Sequence, residues 1–211
     1  MSIYQPIAEA LATHGWTVTQ EFIAAELVRE LAEEASALLD AGALRPAEVG
    51  RGQGAHLAPS VRGDQIHWLD ASGSTRSQRA CLGALETLRQ TLNRELQLGL
   101  FEFEGHFAAY PPGGFYRKHR DQHTGSMERV VSCVLYLNDD WRGEAGGQLR
   151  LYLNESPEEN FHDVLPQGGT LVCFLSDRFW HEVLPATRAR LSLTGWFRRR
   201  GAFWAGVPGA L

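Results

Sequence analysis

The segment Arg190-Leu191-Ser192-Leu193-Thr194-Gly195-Trp196-Phe197 has a clear strand pattern. Successive side chains of a β-strand point to opposite faces, so one face of this segment carries the arginine, two hydroxyl groups and the tryptophan. The other face carries leucine, glycine and phenylalanine. A barrel that holds a ligand needs a polar interior backed by an apolar outer face. The pattern therefore predicts a strand whose polar face looks into a ligand cavity.

Four segments before this one also have the composition of strands, and turn residues separate them. They cover residues 100–110, 130–137, 148–153 and 170–175. The N-terminal half differs, because apolar residues recur at helical spacing over 24–39 and 77–96, and a shorter helix over 7–14 can end at Gly15. We interpret the helices as a layer packed against a sheet. The strand spacing favours a sandwich or a double-sheet jelly roll.

The composition of the chain excludes several classes of function. The 211 residues fit one domain, and the formal net charge of −5 gives no basic field for nucleic acid. No apolar run approaches the roughly 20 residues of a membrane helix, and we find no signal peptide. The three cysteines are far apart without a CxxC pair, which is typical of a reduced compartment. We therefore expect a cytoplasmic protein with no nucleic-acid or membrane partner.

A long stretch between the two main helices, residues 50–74, is rich in glycine and polar residues. It contains Arg51-Gly52-Gln53-Gly54, but no lysine or helix start follows in the register of a phosphate loop. Loops of this length are uncommon in compact domains unless they carry function or are disordered. We interpret it as a mobile loop that runs into a strand.

His119 and Asp121 lie two residues apart, so on an extended chain both side chains face the same way. His181 follows much later, in Trp180-His181-Glu182-Val183. Two histidines and one carboxylate on one face of iron(II) leave three positions open for a co-substrate and O2. A His-x-Asp pair alone is weak evidence, but its order before a second histidine and Arg190 on predicted strands strengthens the hypothesis of an iron site.

Arg190 helps to distinguish between the kinds of chemistry that a metal site of this type could perform. A permanently charged guanidinium on an inward face requires an anion, and it pairs with a carboxylate in a planar, two-bond geometry. The distal carboxylate of 2-oxoglutarate needs such a partner. Without the histidine pair, a surface ion pair would be the simpler interpretation of Arg190.

The sequence resembles the prolyl 4-hydroxylase group of Fe(II)/2-oxoglutarate dioxygenases, including the oxygen-sensing prolyl hydroxylases of animals and their bacterial relatives. The similar region covers about residues 61–197, with weaker helical similarity before it. The shared stretches include Val61-Arg62-Gly63-Asp64-Gln65-Ile66-His67-Trp68, Tyr116-Arg117-Lys118-His119-Arg120-Asp121, Val134-Leu135-Tyr136-Leu137-Asn138, Gly146-Gly147-Gln148-Leu149-Arg150 and His181-Glu182-Val183-Leu184-Pro185-Ala186.

The resemblance implies an α+β fold with a double-stranded β-helix (jelly roll, cupin-like) core and N-terminal helices packed on one sheet. It implies a single dioxygenase domain over 1–211. Residues 1–99 would be helical support with the mobile substrate loop at about 50–74, residues 100–197 the catalytic jelly roll, and residues 198–211 a tail.

The resemblance also implies roles for individual residues. His119, Asp121 and His181 would bind iron, Arg190 and Tyr136 would bind the distal carboxylate, Tyr110 would be a further co-substrate contact, and Thr194 would lie near the metal-bound water. Tyr116, Arg129 and Trp196 would line the substrate entrance. The loop before Trp68 would close over a peptide, with Asp64 paired to Arg129.

The expected cofactors are Fe(II), 2-oxoglutarate and O2, with ascorbate as a further one. The expected partner is a protein that presents a prolyl loop, from resemblance a component of the translation machinery such as elongation factor Tu, and a monomer is expected. Three alternatives remain open: a hydroxylase of a free amino acid or small metabolite, a non-catalytic metal-binding jelly-roll module, and a zinc hydrolase. The last would need a general base near the metal, and we expect Glu182 to face away.

Overall fold

The structure is a computed structural model that describes residues 2–50, 54–70, 74–122, 128–154 and 160–200. Three helices form its N-terminal layer: α1 (Tyr4–His14), α2 (Ala25–Asp40) and α3 (Arg76–Leu96). Helix α1 ends at Gly15, whose φ of 82° is left-handed and suits glycine. Helix α3 begins at Thr75, whose hydroxyl accepts a hydrogen bond from the backbone N–H of Gln78. No helix of the described part of the chain is long and apolar enough to cross a membrane.

The larger sheet has seven strands in the order β1-β11-β8-β13-β6-β5-β2. Their bounds are β1 Trp16–Thr19, β2 Arg45–Pro46, β5 Gln65–Trp68, β6 Glu102–Tyr110, β8 Arg129–Tyr136, β11 Leu171–Leu175 and β13 Arg190–Arg198. Strand β13 is central, with β6 and β8 antiparallel on its two sides. Arg190 lies opposite Tyr110, and Ser192 lies opposite Tyr136.

The smaller sheet has four strands in the order β10-β9-β12-β7. They are β7 Tyr116–His119, β9 Leu149–Tyr152, β10 Phe161–Val164 and β12 His181–Val183. A separate pair, β3 Glu48–Val49 and β4 His56–Leu57, lies before β5, and a short 3-10 helix, Gly143–Ala145, precedes β9.

Two apolar clusters fill the spaces on either side of the larger sheet. One lies between the helices and the sheet and includes Leu31, Leu88, Phe107, Cys133 and Phe197. The other lies between the two sheets and includes Ala108, Val134, Tyr136, Leu151 and Phe174. Strand β8 contributes alternate residues to the two clusters, as the period of a strand requires. The helices therefore cover one face of the larger sheet, while its other face encloses a cavity with the smaller sheet.

These observations confirm the predicted α+β jelly roll with N-terminal helices on one sheet. The predicted helices and the five predicted strands are present, with ends that differ by at most three residues. The other strands were not delimited from the sequence: β1 to β5, β7, β10 and β12. Within the predicted loop, residues 54–70 include β4 and β5, whereas residues 51–53 and 71–73, like 201–211 of the predicted tail, lie outside the described residues. The division into support, catalytic region and tail stays a prediction.

Candidate active site

The smaller sheet brings the proposed iron ligands together. His119 ends β7 and His181 begins β12, and the two are cross-strand partners. Asp121 follows β7 immediately, and one ligand atom from each of the three residues lies within 4.8 Å of the others. The Nε2 atoms of His119 and His181 each lie 3.6 Å from a carboxylate oxygen of Asp121. The sequence therefore identified a real cluster whose donor set suits iron(II).

Hydrogen bonds orient the three side chains. The Nδ1 atom of His119 lies 2.8 Å from the carbonyl oxygen of Arg117, and Nδ1 of His181 lies 3.3 Å from that of Phe179. A neutral imidazole that donates from Nδ1 keeps its Nε2 lone pair for a metal. The hydroxyl of Ser132 donates to Asp121 over 2.6 Å, which holds the carboxylate from behind.

Burial and charge favour the metal-binding protonation states of His181 and Asp121. Burial, together with a smaller effect of the neighbouring His119, lowers the pKa of His181 to about 4. Burial alone would raise the pKa of Asp121, but the two histidines and the Ser132 hydroxyl lower it by more. The resulting pKa lies well below the usual range of an aspartate. Neutral imidazole and ionised carboxylate are the forms that bind metal, so these two ligands need little proton release at neutral pH.

Arg190 is almost fully buried, with 1% of its surface exposed. Its Nε donates to the carbonyl oxygen of Gly147 over 3.0 Å, and its guanidinium carbon lies 5.0 Å from the ring centres of both Tyr110 and Tyr136. Within the described residues, no carboxylate forms an ion pair with it. The Tyr136 hydroxyl is enclosed and has no hydrogen-bond partner there either. A buried cation beside an unpaired hydroxyl is a site for an anion.

The remaining predicted residues lie around a cavity of about 930 Å³ that includes the triad and Arg190. Tyr110 and Thr194 line it from the larger sheet. The Tyr116 ring stacks on His119, with centroids 3.6 Å apart. The Arg129 guanidinium lies 3.3 Å above the Trp196 ring. The structure therefore brings the sequence-predicted site residues to one cavity, except for Tyr136, which lies buried behind the cavity wall beside Arg190. Their roles remain proposals.

One predicted contact is wrong in this structure. Asp64, which is 2% exposed, pairs with Arg62 rather than with Arg129. The Arg62 Nε and Nη2 atoms donate to the two carboxylate oxygens over 2.7 and 2.6 Å. The reason is local, because Arg62 lies only two residues before Asp64 in the segment that leads into β5. Arg129 instead lies near Glu104, with an N–O distance of 3.6 Å.

Several residues that line the cavity were not predicted as site residues from the sequence, and Arg62, Trp68 and His106 are among them. Arg62 and Trp68 were quoted only as parts of a shared stretch. A signal for His106 was present, because alternation along the strand places His106, Ala108 and Tyr110 on one face. A histidine on the same face as a proposed co-substrate residue faces the cavity. Glu182, by contrast, does not line it; it accepts a hydrogen bond from the Tyr152 hydroxyl.

A jelly roll that gathers two histidines and an aspartate beside a buried, unpaired arginine defines a non-haem iron protein with a carboxylate-binding pocket. A profile of the 2OG-Fe(II) oxygenase superfamily matches residues 105–198. Egl nine homolog 1 from Mus musculus is 31% identical over 202 residues, which are 90% of this chain and 48% of that protein. The chain spans about half the length of such curated relatives.

Solved structures agree with this class. A Pseudomonas putida prolyl-4-hydroxylase is 47% identical with a TM-score of 0.84, covering 94% of this chain and 100% of that one. A Trichoplax adhaerens prolyl hydroxylase, solved in complex with a hypoxia inducible factor oxygen degradation domain peptide fragment, is 26% identical with a TM-score of 0.81, covering 92% and 88%. The chain belongs to the prolyl hydroxylase family of 2OG-Fe(II) oxygenases.

Members of this family require Fe(II), 2-oxoglutarate and O2, and the residues present fit that requirement. The triad offers the nitrogen and oxygen donors that iron(II) accepts. The buried Arg190 and the unpaired Tyr136 hydroxyl offer the hydrogen bonds that a carboxylate of the co-substrate needs.

Proposed function

We propose that this chain is a prolyl 4-hydroxylase that acts on a prolyl residue of another protein and uses Fe(II), 2-oxoglutarate and O2. The observation that carries the oxygenase part is the buried Arg190 beside the His119, Asp121 and His181 cluster. A metal-binding module without catalysis has no use for a buried carboxylate site, so this observation disfavours that alternative. When bound, iron, 2-oxoglutarate and O2 together supply the oxidising chemistry, with succinate and CO2 as co-products.

The chain's own residues bind and orient the reactants. His119, Asp121 and His181 hold the metal, and Arg190 and Tyr136 hold the distal carboxylate of 2-oxoglutarate. Tyr110 and Thr194 line the space between these two anchor points. Because the anchors lie on different sheets, they fix the co-substrate at both ends and restrict its orientation.

The substrate side of the proposal rests on the shape of the cavity. It continues past the triad to Arg45, Glu48 and Arg62, which gives room for a chain segment beyond the co-substrate. Trp68 and Trp196 form an aromatic wall there, with ring centroids 6.4 Å apart. Aromatic faces suit a prolyl ring, and Tyr116 and Arg129 stand at the same opening.

The proposed partner is a protein with an exposed prolyl loop, and elongation factor Tu or another part of the translation machinery is the specific candidate. The relatives support the general part, because one of them was solved with a protein-derived peptide. The choice of elongation factor Tu rests on the resemblance of this chain to bacterial members of the family. Cytoplasmic location, a monomeric state and a contribution of ascorbate stay predictions.

The direct test of this proposed function measures the formation of succinate. Purified protein loaded with iron(II) receives 2-oxoglutarate and O2, alone and with a bacterial lysate or purified elongation factor Tu. Mass spectrometry then looks for the gain of one oxygen atom on prolyl peptides. The expected result is succinate that increases with the protein substrate and one hydroxylated proline.

Two variants calibrate this test. His119→Ala should abolish succinate formation, whereas His14→Ala, at the exposed end of α1, should leave it unchanged. Coupled turnover in the His119 variant would contradict the metal assignment. Succinate without a modified peptide would favour the small-metabolite hydroxylase, and no succinate despite bound iron would favour the non-catalytic module.

A further inference from the structure

His106 is a cavity residue that the proposed mechanism does not use. It lies in β6, opposite Thr194 of β13 and Trp68 of β5, and only 3% of its surface is exposed. Its ring packs against Trp68, with centroids 4.8 Å apart, and against Trp196 at 5.5 Å. His106 is therefore part of the same wall as the two tryptophans, on the cavity side of the larger sheet.

Among the residues that the structure describes, the imidazole has no hydrogen-bond partner. Its Nδ1 atom is enclosed and unpartnered within the described residues. The second nitrogen, Nε2, is not enclosed in that way, and no hydrogen bond to it occurs among those residues, so Nε2 is the atom that reaches the cavity. A buried polar side chain without a partner costs stability, and such groups in native proteins call for an explanation.

The charge state of His106 agrees with a role for Nε2 as a hydrogen-bond donor. Burial lowers the pKa of His106 to about 3, so the ring is neutral at physiological pH. A neutral imidazole has one N–H donor and one acceptor. Because Nδ1 is enclosed, the tautomer with the proton on Nε2 presents a donor to the cavity without a charge.

A prolyl residue is the kind of ligand that such a donor suits. Proline has no backbone N–H, so the polar main-chain groups at the target position are carbonyl oxygens, which only accept hydrogen bonds. We propose that His106 binds the substrate by donating from Nε2 to a backbone carbonyl next to the target proline, while Trp68 and Trp196 pack against the prolyl ring. This inference rests on the proposed prolyl hydroxylase function.

The test compares three substitutions at this position. Synthetic peptides with one central proline in randomised flanks, and elongation factor Tu, serve as probes, with KM measured for each probe and for 2-oxoglutarate. His106→Met keeps the volume but removes the donor, so KM for every prolyl probe should rise about tenfold while that for 2-oxoglutarate stays unchanged. A uniform loss across flanking sequences is the signature of a main-chain contact.

The other two substitutions separate binding from packing. In His106→Gln the amide nitrogen occupies about the position of Nε2, so the KM should return to within about threefold of the wild-type value. In His106→Asn the amide lies near Nδ1, and the loss should persist. Thermal unfolding and metal binding establish that each variant is folded.

The outcomes are distinguishable. Wild-type protein that hydroxylates a prolyl probe, with His106→Met showing the same KM, would overturn this assignment alone. So would equal losses in the Met and Gln variants, or a weakening seen only in the affinity for the co-substrate. Wild-type protein inactive on every prolyl probe would overturn the proposed function and this assignment with it.

Discussion

At the scale of single residues, the proposed role of the buried Arg190 guanidinium would link stability to co-substrate binding. It is held by the carbonyl oxygen of Gly147 and two tyrosine rings, and it finds no carboxylate among the described residues. An unpaired buried charge destabilises a protein, whereas the same charge paired with a ligand carboxylate contributes to binding. The residue therefore favours function at the expense of the ligand-free fold.

Substitution of Arg190 should separate these two effects. We expect Arg190→Met to raise the KM for 2-oxoglutarate by about 100-fold or more, because a charged two-bond partner is lost. The free energy of unfolding without 2-oxoglutarate should not fall, since an unpaired buried charge is removed. Arg190→Lys should bind weakly because it keeps the charge without the planar fork.

Arg188 on the approach to the same strand is a matched control. It is exposed, and Arg188→Gln should leave both quantities unchanged. Steady-state kinetics and urea unfolding provide the measurements. If the Met variant unfolded much more easily but bound 2-oxoglutarate normally, Arg190 would be a structural residue.

The low pKa of His106 predicts a pH effect on stability. Burial lowers this pKa from 6.5 to about 3, so between these values the unfolded chain binds a proton at His106 that the folded chain does not. Stability contributed by neutral His106 is therefore fully present above pH 6.5 and decreases as the pH falls through this window. Between about pH 7.5 and about pH 5, wild-type protein should lose about 2 kcal/mol relative to His106→Met.

Urea unfolding of the metal-free proteins at both pH values measures this difference. Other titrating groups, including His181, are common to both proteins and cancel in the comparison. Parallel pH profiles for the two proteins would show that His106 is not held neutral by burial.

At the scale of elements, the turn before β9 supports the arginine. Gly147 has a φ of 72°, and a Cβ atom added there would lie 2.9 Å from the Cβ of Ala186, 3.0 Å from Trp141 and 3.4 Å from the Cδ of Arg190. Left-handed backbone and close contacts both oppose a side chain. Since the Gly147 carbonyl also binds Arg190, this turn sets the position of the guanidinium.

Gly147→Ala should therefore reduce the free energy of unfolding by about 2 to 4 kcal/mol and weaken 2-oxoglutarate binding. Gly42 offers a control for the backbone alone, because its φ is 66° and no atom would lie within 4 Å of an added Cβ. Gly42→Ala should lose about 1 kcal/mol without any change in 2-oxoglutarate affinity. Equal effects of the two substitutions on that affinity would contradict a role for the turn.

The long elements were predictable from the sequence because each has one dominant period. Helix α3 and strand β13 each bury a continuous face, and their patterns extend over many residues. Strand β12 has only three residues and β10 is exposed at three of its four positions, so neither carries a recognisable period. Their places depend on pairing with distant segments, which local pattern does not encode.

The residues of the site also divide into those that were predictable from the sequence and those that were not. The triad and Arg190 were predictable because their residue types and order have few chemical explanations. His106 was not predicted as a site residue because a single histidine inside an apolar strand has many possible explanations. The predicted pairing of Asp64 was wrong because Arg62, only two residues away in the chain, forms the ion pair instead of the distant Arg129.

At the scale of the whole molecule, the two sheets contribute different parts of the site. The smaller sheet and the turn after β7 supply the proposed metal ligands, whereas β13 and β8 of the larger sheet supply Arg190 and Tyr136. A co-substrate held at the metal by one end and at Arg190 by the other would connect the sheets across the cavity. Binding should therefore stabilise the barrel as a unit.

This arrangement predicts that metal and 2-oxoglutarate stabilise the protein cooperatively. Manganese(II), a stand-in that does not turn over, should raise the free energy of unfolding by about 2.7 kcal/mol at 100 times its dissociation constant. 2-Oxoglutarate should add a comparable increment with the metal but much less after the metal is removed by a chelator, because only one of its two anchors then remains. Asp121→Ala should abolish the metal effect and most of the co-substrate effect, and thermal unfolding with each ligand alone and together measures all of these. An equal increment from 2-oxoglutarate with and without metal would mean that it binds at Arg190 independently and that the sheets are not linked through the co-substrate.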